Sequence, residues 1–170
     1  VINKREAVMR VGPEQLAQYL YPIFDPRQES THHVVGKGLP AGPGAAAGRI
    51  ALTPERAVEM KERGERALLV RRETSPDDIH GMSASVGFLT AKGGMTSHAA
   101  VVARQMGKVC VAGCEALEVS HDGVVRFGAL TLKEGDALSI NGFTGAVYEG
   151  EIPVVESEII QVIQGHLNPE

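Results

Sequence analysis

The sequence has no tryptophan and few other aromatics, four Phe and three Tyr in 170 residues. A surface that binds single-stranded nucleic acid by stacking bases needs an aromatic platform, and this composition supplies too little to build one. The formal net charge of −4 argues the same way, because nucleic acid is held first through neutralised phosphates. Long apolar runs are missing as well. No stretch reaches the roughly 18 residues that a membrane span needs, and no charged start leading into an apolar segment marks a signal peptide. These absences predict a soluble, cytoplasmic protein with no nucleic-acid and no membrane partner. Cysteine is scarce too. Cys110 and Cys114 are separated by three residues rather than two and lie in or beside an apolar run, which suggests neither a redox pair nor half of a zinc site and predicts buried free thiols. His32, His33, His80, His121 and His166 show no metal-ligand spacing with one another or with the cysteines, so no metal site is expected in this segment.

With 43% hydrophobic residues, the length fits one domain whose core rests on Val, Leu, Ile and Ala, with an appended arm. Ile2 to Val11 and Pro13 to Leu20 read as two short helices, the second opening with Pro at its first position. Tyr21-Pro22-Ile23-Phe24-Asp25-Pro26 cannot continue a helix, and residues 25 to 35 read as a polar linker. The body starts near Val34. Gly42, Gly44 and Gly48, with Pro40 and Pro43, predict a loop ahead of the apolar run Arg49-Ile50-Ala51-Leu52. Such a loop either cradles phosphate or only turns the chain. Its spacing is not G-x-G-x-x-G, which supports a dinucleotide fold poorly and favours the plain turn.

Thr53-Pro54-Glu55 opens a helix that Gly64 closes, and Ala67 to Arg72 is then a strand. Ser75-Pro76-Asp77-Asp78 repeats the helix-start grammar, with a helix to about Met82. Val86 to Ala91 and Val109 to Ala112 are short apolar strands. The alternation predicts βα units on a parallel sheet. From Val124 onward the runs are shorter and are separated by Asp122-Gly123, Glu134-Gly135-Asp136 and Asn141-Gly142, which predicts hairpins. The segment from Glu151 fits a tail or a second linker helix better than more sheet.

The chemistry concentrates in Gly93-Gly94-Met95-Thr96-Ser97-His98-Ala99-Ala100-Val101-Val102-Ala103-Arg104. The order is strand, glycine turn, helix, with Thr96 or Ser97 as cap and His98 in the first turn. Unpaired N–H groups and the positive dipole end favour an anion such as phosphate there. At 100° steps, Ala99, Val102, Ala103 and Met106 share the apolar face and His98 lies to one side of it. Free imidazole is mostly neutral at pH 7 and keeps a lone pair able to attack phosphorus. A lone histidine at a helix start is otherwise an ordinary surface residue.

The twelve residues from Gly93 to Arg104 closely resemble the phosphohistidine motif of the phosphoenolpyruvate-utilising enzymes. The resemblance extends to Gly38 to Gly48 and to Arg71-Arg72-Glu73-Thr74-Ser75-Pro76-Asp77-Asp78-Ile79, and so covers about residues 36 to 150. Met95 and the continuation Gln105-Met106-Gly107-Lys108 are most similar to the pyruvate phosphate dikinase branch. The alternatives within the resemblance are a phosphoenolpyruvate synthase or enzyme I relative. A stand-alone, non-catalytic module of the same fold is an alternative of another class.

The resemblance implies an α/β fold, a swivelling β/β/α phosphohistidine domain over 34–150, with a helical arm and linker at 1–33 and a further linker at 151–170. It implies that His98 carries a phosphoryl group between ATP and phosphate on one side and pyruvate or phosphoenolpyruvate on the other, so that this segment alone is not expected to turn over. Gly93, Gly94, Thr96 and Ser97 are the local candidates for stabilising that group through backbone N–H groups and hydroxyls. Nucleotide-binding and pyruvate-binding domains of the same enzyme are the implied partners, with Mg²⁺ held by them and a homodimer as the full assembly. Thr96 matches the position that a bifunctional regulatory kinase/phosphorylase modifies in plant and some bacterial dikinases. Arg104 lies about 120° round the helix from His98, which predicts a salt bridge, an interdomain role or a solvated position.

Overall fold

The computed structural model describes residues 21–155. The two helices expected before Tyr21, and the apolar run after Glu156, lie outside the described residues.

The parallel βα units form as the alternation predicts. Strands β4 (Ala45–Ala51), β5 (Ala67–Arg71), β6 (Gly87–Thr90) and β7 (Val109–Ala112) lie side by side, and all three of their pairings are parallel. Helix α2 (Pro54–Glu62) joins β4 to β5. Thr53 caps it by accepting from the Arg56 amide at 3.1 Å, and Gly64 follows at φ +77°. A 3₁₀ turn (Pro76–Asp78) and helix α3 (Ile79–Ala84) join β5 to β6, and α4 (His98–Met106) joins β6 to β7. The Ser75 amide donates to Asp78 Oδ2 at 2.9 Å, which pins the start of the turn.

Antiparallel strands extend this sheet on both sides, giving the order β2-β12-β11-β4-β5-β6-β7-β3. These added strands are β2 (Val34–Lys37), β3 (Leu39–Gly42), β11 (Ala137–Asn141) and β12 (Ala146–Glu149). The expected hairpins appear as β11–β12, and as β9 (Val124–Phe127) with β10 (Leu130–Lys133), which β8 (Leu117–Val119) joins in a separate three-stranded sheet.

Alternation along the central strands sends successive side chains to opposite faces. Ala51, Leu69, Cys110 and Ala112 pack with Ala57, Met60, Met82, Ala99 and Ala103 of the helices. Ile50, Leu68, Val70, Leu89 and Val111 face the other way, onto Leu117, Val125 and Phe127 of the small sheet. Two layers of sheet and one of helix thus form the β/β/α arrangement. Cys110 and Cys114 are buried free thiols, and burial pushes the Cys110 thiol up to about 12.

The glycine-rich stretch corrects the expectation of a loop. Residues 39–42 and 45–51 are strands, with only Pro43 and Gly44 between them. The glycines serve close backbone approach: a Cβ on Gly42 would lie 2.5 Å from the Lys108 carbonyl oxygen, and one on Gly48 2.8 Å from that of Arg66. Gly42 pairs with Cys110 near the amino end of β7, whereas the His98 loop leaves the carboxyl end of β6. The stretch therefore does not cradle an anion at His98.

Both flanks contribute structure. Residues 25 to 35, read as linker, contain the short helix α1 (Pro26–Glu29). Strand β1 (Ile23–Phe24) pairs antiparallel with β13 (Val154–Val155), where a tail or helix was expected. The reason is apolar burial: Phe24 and Ile152 are buried with Ala45, Ala47 and Tyr148, and Phe24 meets Tyr148 edge-on at 6.0 Å between ring centroids.

Candidate phosphohistidine site

His98 is the first residue of α4 and lies at the carboxyl end of the parallel strands, where open α/β sheets gather ligands. The β6 chain ends at Thr90 and then turns through a loop. Gly93 takes φ +112°, a left-handed conformation that side chains disfavour. A Cβ there would also come within 2.9 Å of Ser97 Cβ. Gly93 is thus a steric requirement of the loop.

Ser97 is the N-cap. Its hydroxyl donates to the Gly94 carbonyl at 2.7 Å and accepts from the Ala100 amide at a long 3.4 Å, while its own amide donates to Gly94 at 3.1 Å. Both polar groups of Ser97 are therefore engaged inside the loop. Thr96 is exposed, and its hydroxyl has no intrachain partner among the described residues. The amides of His98 and Ala99, among the orphan donors of a helix start, likewise have no acceptor among them. The apolar face forms as expected, Ala99, Val102 and Ala103 being buried and Met106 partly so, and Gly107 ends the helix at φ +69°.

His98 itself is half-buried, and its Nδ1 lies 3.0 Å from Thr74 Oγ1. Thr74 stands in the connection that follows β5, the neighbour of β6. Adjacent parallel strands thus deliver the hydroxyl and the imidazole to one place. Sequence reasoning missed this residue. In the sequence Thr74 stands out only as a member of the Arg71 to Ile79 block that carries the family resemblance. The available signal was its position just past a strand end, next to the strand that leads to the histidine. Arg104 is exposed, which is one of the positions expected for it. It makes no ion pair among the described residues and instead donates from Nη2 to the Met95 carbonyl at 2.6 Å.

Residues 64–145 match the family described as PEP-utilising enzyme, mobile domain. The chain carries the mobile domain of the PEP-utilising enzymes. Over 160 residues this mobile-domain chain is 46% identical to pyruvate, phosphate dikinase of Clostridium symbiosum, covering 94% of the chain and 18% of that protein. It is 47% identical to the dikinase of Rhizobium meliloti (strain 1021) over the same shares. Against the chloroplastic dikinase of Flaveria pringlei it is 49% identical over 152 residues, 89% of the chain and 16% of that protein. The mobile-domain chain thus spans less than a fifth of the length of these relatives. A solution NMR structure of Enzyme I overlaps 64% of the chain and 38% of its own at 25% identity, with a TM-score of 0.38, too loose to bear on the site.

Among the described residues no three His, Cys, Asp or Glu side chains converge on a point that could hold a metal ion. No helix among them is long and apolar enough to cross a membrane.

Proposed function

We propose that His98 is the phosphoryl carrier of a pyruvate, phosphate dikinase, taking the group that starts as the β-phosphate of ATP and passing it to pyruvate. The contact between Thr74 Oγ1 and His98 Nδ1 carries this reading. For Nε2 to hold the attacking lone pair, Nδ1 must hold the proton, and the Thr74 oxygen is placed to accept it. As Nε2 bonds to phosphorus and the bond to the leaving oxygen breaks, positive charge develops on the ring. The Nδ1–H then becomes a better donor, so its bond to Thr74 strengthens in the transition state. Negative charge on the phosphoryl oxygens is met by the amides of the helix start and by the Gly94 to Thr96 loop, with the Thr96 hydroxyl in reach of the same region. The N–P intermediate divides one transfer into two.

In this reading the segments 1–33 and 151–170 link the domain to a nucleotide-binding domain and to a pyruvate- or phosphoenolpyruvate-binding barrel of one polypeptide. That polypeptide assembles as a cytoplasmic homodimer. The relatives named above support the further domains, since each is several times longer than this chain. The amides and hydroxyls around His98 do not make a Mg²⁺ site, and in this reading the other domains hold the ion. Thr96, exposed two residues before His98, is the position at which a regulatory kinase/phosphorylase would act. A phosphate there adds nearly two negative charges at the site of an incoming anion.

The test is ³¹P NMR and intact mass of this chain after incubation with phosphoenolpyruvate, Mg²⁺ and the separately supplied barrel domain of a relative. An acid-labile adduct that disappears in His98→Ala supports the carrier role. No adduct, under conditions in which the relative's own mobile domain is labelled, overturns it.

A further inference from the structure

We infer that Arg104 is a positioning residue for phosphoryl uptake, acting through the loop that precedes His98. The inference rests on the reading of His98 given above. The loop presents two kinds of backbone group to an incoming anion: amides that attract it and carbonyls that repel it. The structure disposes of two carbonyls. That of Gly94 accepts from both the amide and the hydroxyl of Ser97, at 3.1 and 2.7 Å. That of Met95 accepts from Arg104 Nη2 at 2.6 Å, across nine residues of chain.

A peptide unit that turns its carbonyl one way turns the following amide roughly the other way, because the six atoms are planar and trans. Fixing the Met95 carbonyl toward Arg104 therefore fixes the Thr96 amide away from it. Holding the Gly94 carbonyl against Ser97 fixes the Met95 amide likewise. Neither of those amides has an acceptor among the described residues, so both are left as donors for a ligand.

Arg104 suits this task for two reasons. It rises from α4 six residues after His98, so the helix that positions the nucleophile also anchors the loop in front of it. Its guanidinium has no carboxylate partner among the described residues, so the charge that holds Met95 is not cancelled and adds to the positive field at the helix start. An apolar side chain at 104 leaves the packed face of α4 intact, since Ala99, Ala100, Val102 and Ala103 form that face. It releases only the loop. Misplacing donors around a reacting group by a fraction of their bond length costs rate while leaving the fold in place.

The test uses this chain and potassium phosphoramidate as a domain-independent phosphoryl donor. In that reaction the Nε2 lone pair forms the new N–P bond, while the donor's P–N bond breaks and its electron pair leaves on ammonia. The wild type should acquire an acid-labile phosphoryl group at His98. Arg104→Met should lower the maximum labelling rate about tenfold, with the half-saturating phosphoramidate concentration and the melting temperature little changed. Arg104→Lys, which can still donate to the Met95 carbonyl, should recover most of the rate. Wild-type labelling kinetics in Arg104→Met would overturn the inference and leave the His98 reading standing. Equal loss of rate and of melting temperature in Arg104→Met and Arg104→Lys would show a merely structural role, which also overturns it. A wild-type chain that takes no phosphoryl group at His98 overturns the carrier reading and this inference with it.

Discussion

Thr74 Oγ1 and His98 Nδ1 are 3.0 Å apart although 24 residues separate them in the chain. The contact exists because β5 and β6 are parallel neighbours, with Arg71 opposite Thr90 at their carboxyl ends. Each chain therefore leaves the sheet beside the other. A hydroxyl held against Nδ1 fixes both the tilt of the ring and the nitrogen that keeps the proton.

Replacing Thr74 by Val keeps the shape and removes the acceptor. Hydrogen bonds to groups that carry charge are worth about 1.5–3 kcal/mol, so Thr74→Val should slow phosphoryl transfer to His98 roughly tenfold to a hundredfold, and Thr74→Ser should recover much of it. Ring ¹⁵N shifts of His98 should move toward the tautomer protonated at Nε2 in Thr74→Val. Unchanged shifts together with an unchanged rate would remove Thr74 from the site.

The two loop glycines should differ sharply. Gly93→Ala meets both a positive φ of +112° and a Cβ 2.9 Å from Ser97 Cβ, whereas a Cβ on Gly94 meets nothing within 4 Å. Strain of the first kind costs about 1–3 kcal/mol, and substitutions free of it usually stay within about 0.5 kcal/mol. Urea unfolding of the two variants decides the matter, and equal destabilisation would contradict the loop geometry.

Much of the parallel core was legible in the sequence because its signals are local. Pro after Thr53, Gly at 64, and short apolar runs of four or five residues each act within a few positions. Strands β2 and β3 were not legible. Their residues, from Val34 to Gly42, include three glycines and a proline, which read as turn chemistry when the facing backbone is unknown. Only the neighbour explains Gly42, whose absent side chain admits the Lys108 carbonyl. The contacts of Thr74 and Arg104 escape a sequence reading for a related reason. The partner of Thr74 comes from another βα unit, and that of Arg104 is a backbone carbonyl in the loop ahead of its own helix. Helical spacing reveals neither.

Phe24 should behave as core despite its place in a two-residue strand. It is 3% exposed and packs on Tyr148. Phe24→Ala should therefore cost about 3–5 kcal/mol, measured by denaturant unfolding. A loss under about 1 kcal/mol, the range of surface sites, would mean that the β1–β13 pair is not part of the folded unit.

Stability should fall at high pH through Cys110. Burial, partly opposed by Arg104, raises its thiol from 9.0 to about 12 in the fold. Below about pH 9 both states keep the proton and the group contributes no difference. Between pH 9 and 12 the unfolded chain loses the proton while the folded one retains it, so unfolding is favoured by up to about 1.4 kcal/mol per pH unit. The difference in unfolding free energy between wild type and Cys110→Ala should drift in that direction from pH 8 to 10.5. A constant difference would show that the thiol ionises freely in the native state.

The pairing of Ile23 with Val155 has a mechanical consequence. Paired strands lie about 4.8 Å apart, so the two ends of the described residues lie side by side at one spot. Anything tethered at either end pulls from nearly the same spot, and turning the unit about that spot lengthens neither tether. Cargo carried on the His98 loop would then travel on an arc around one pivot, like a lamp on a jointed stem, with the internal packing of the unit undisturbed throughout the swing.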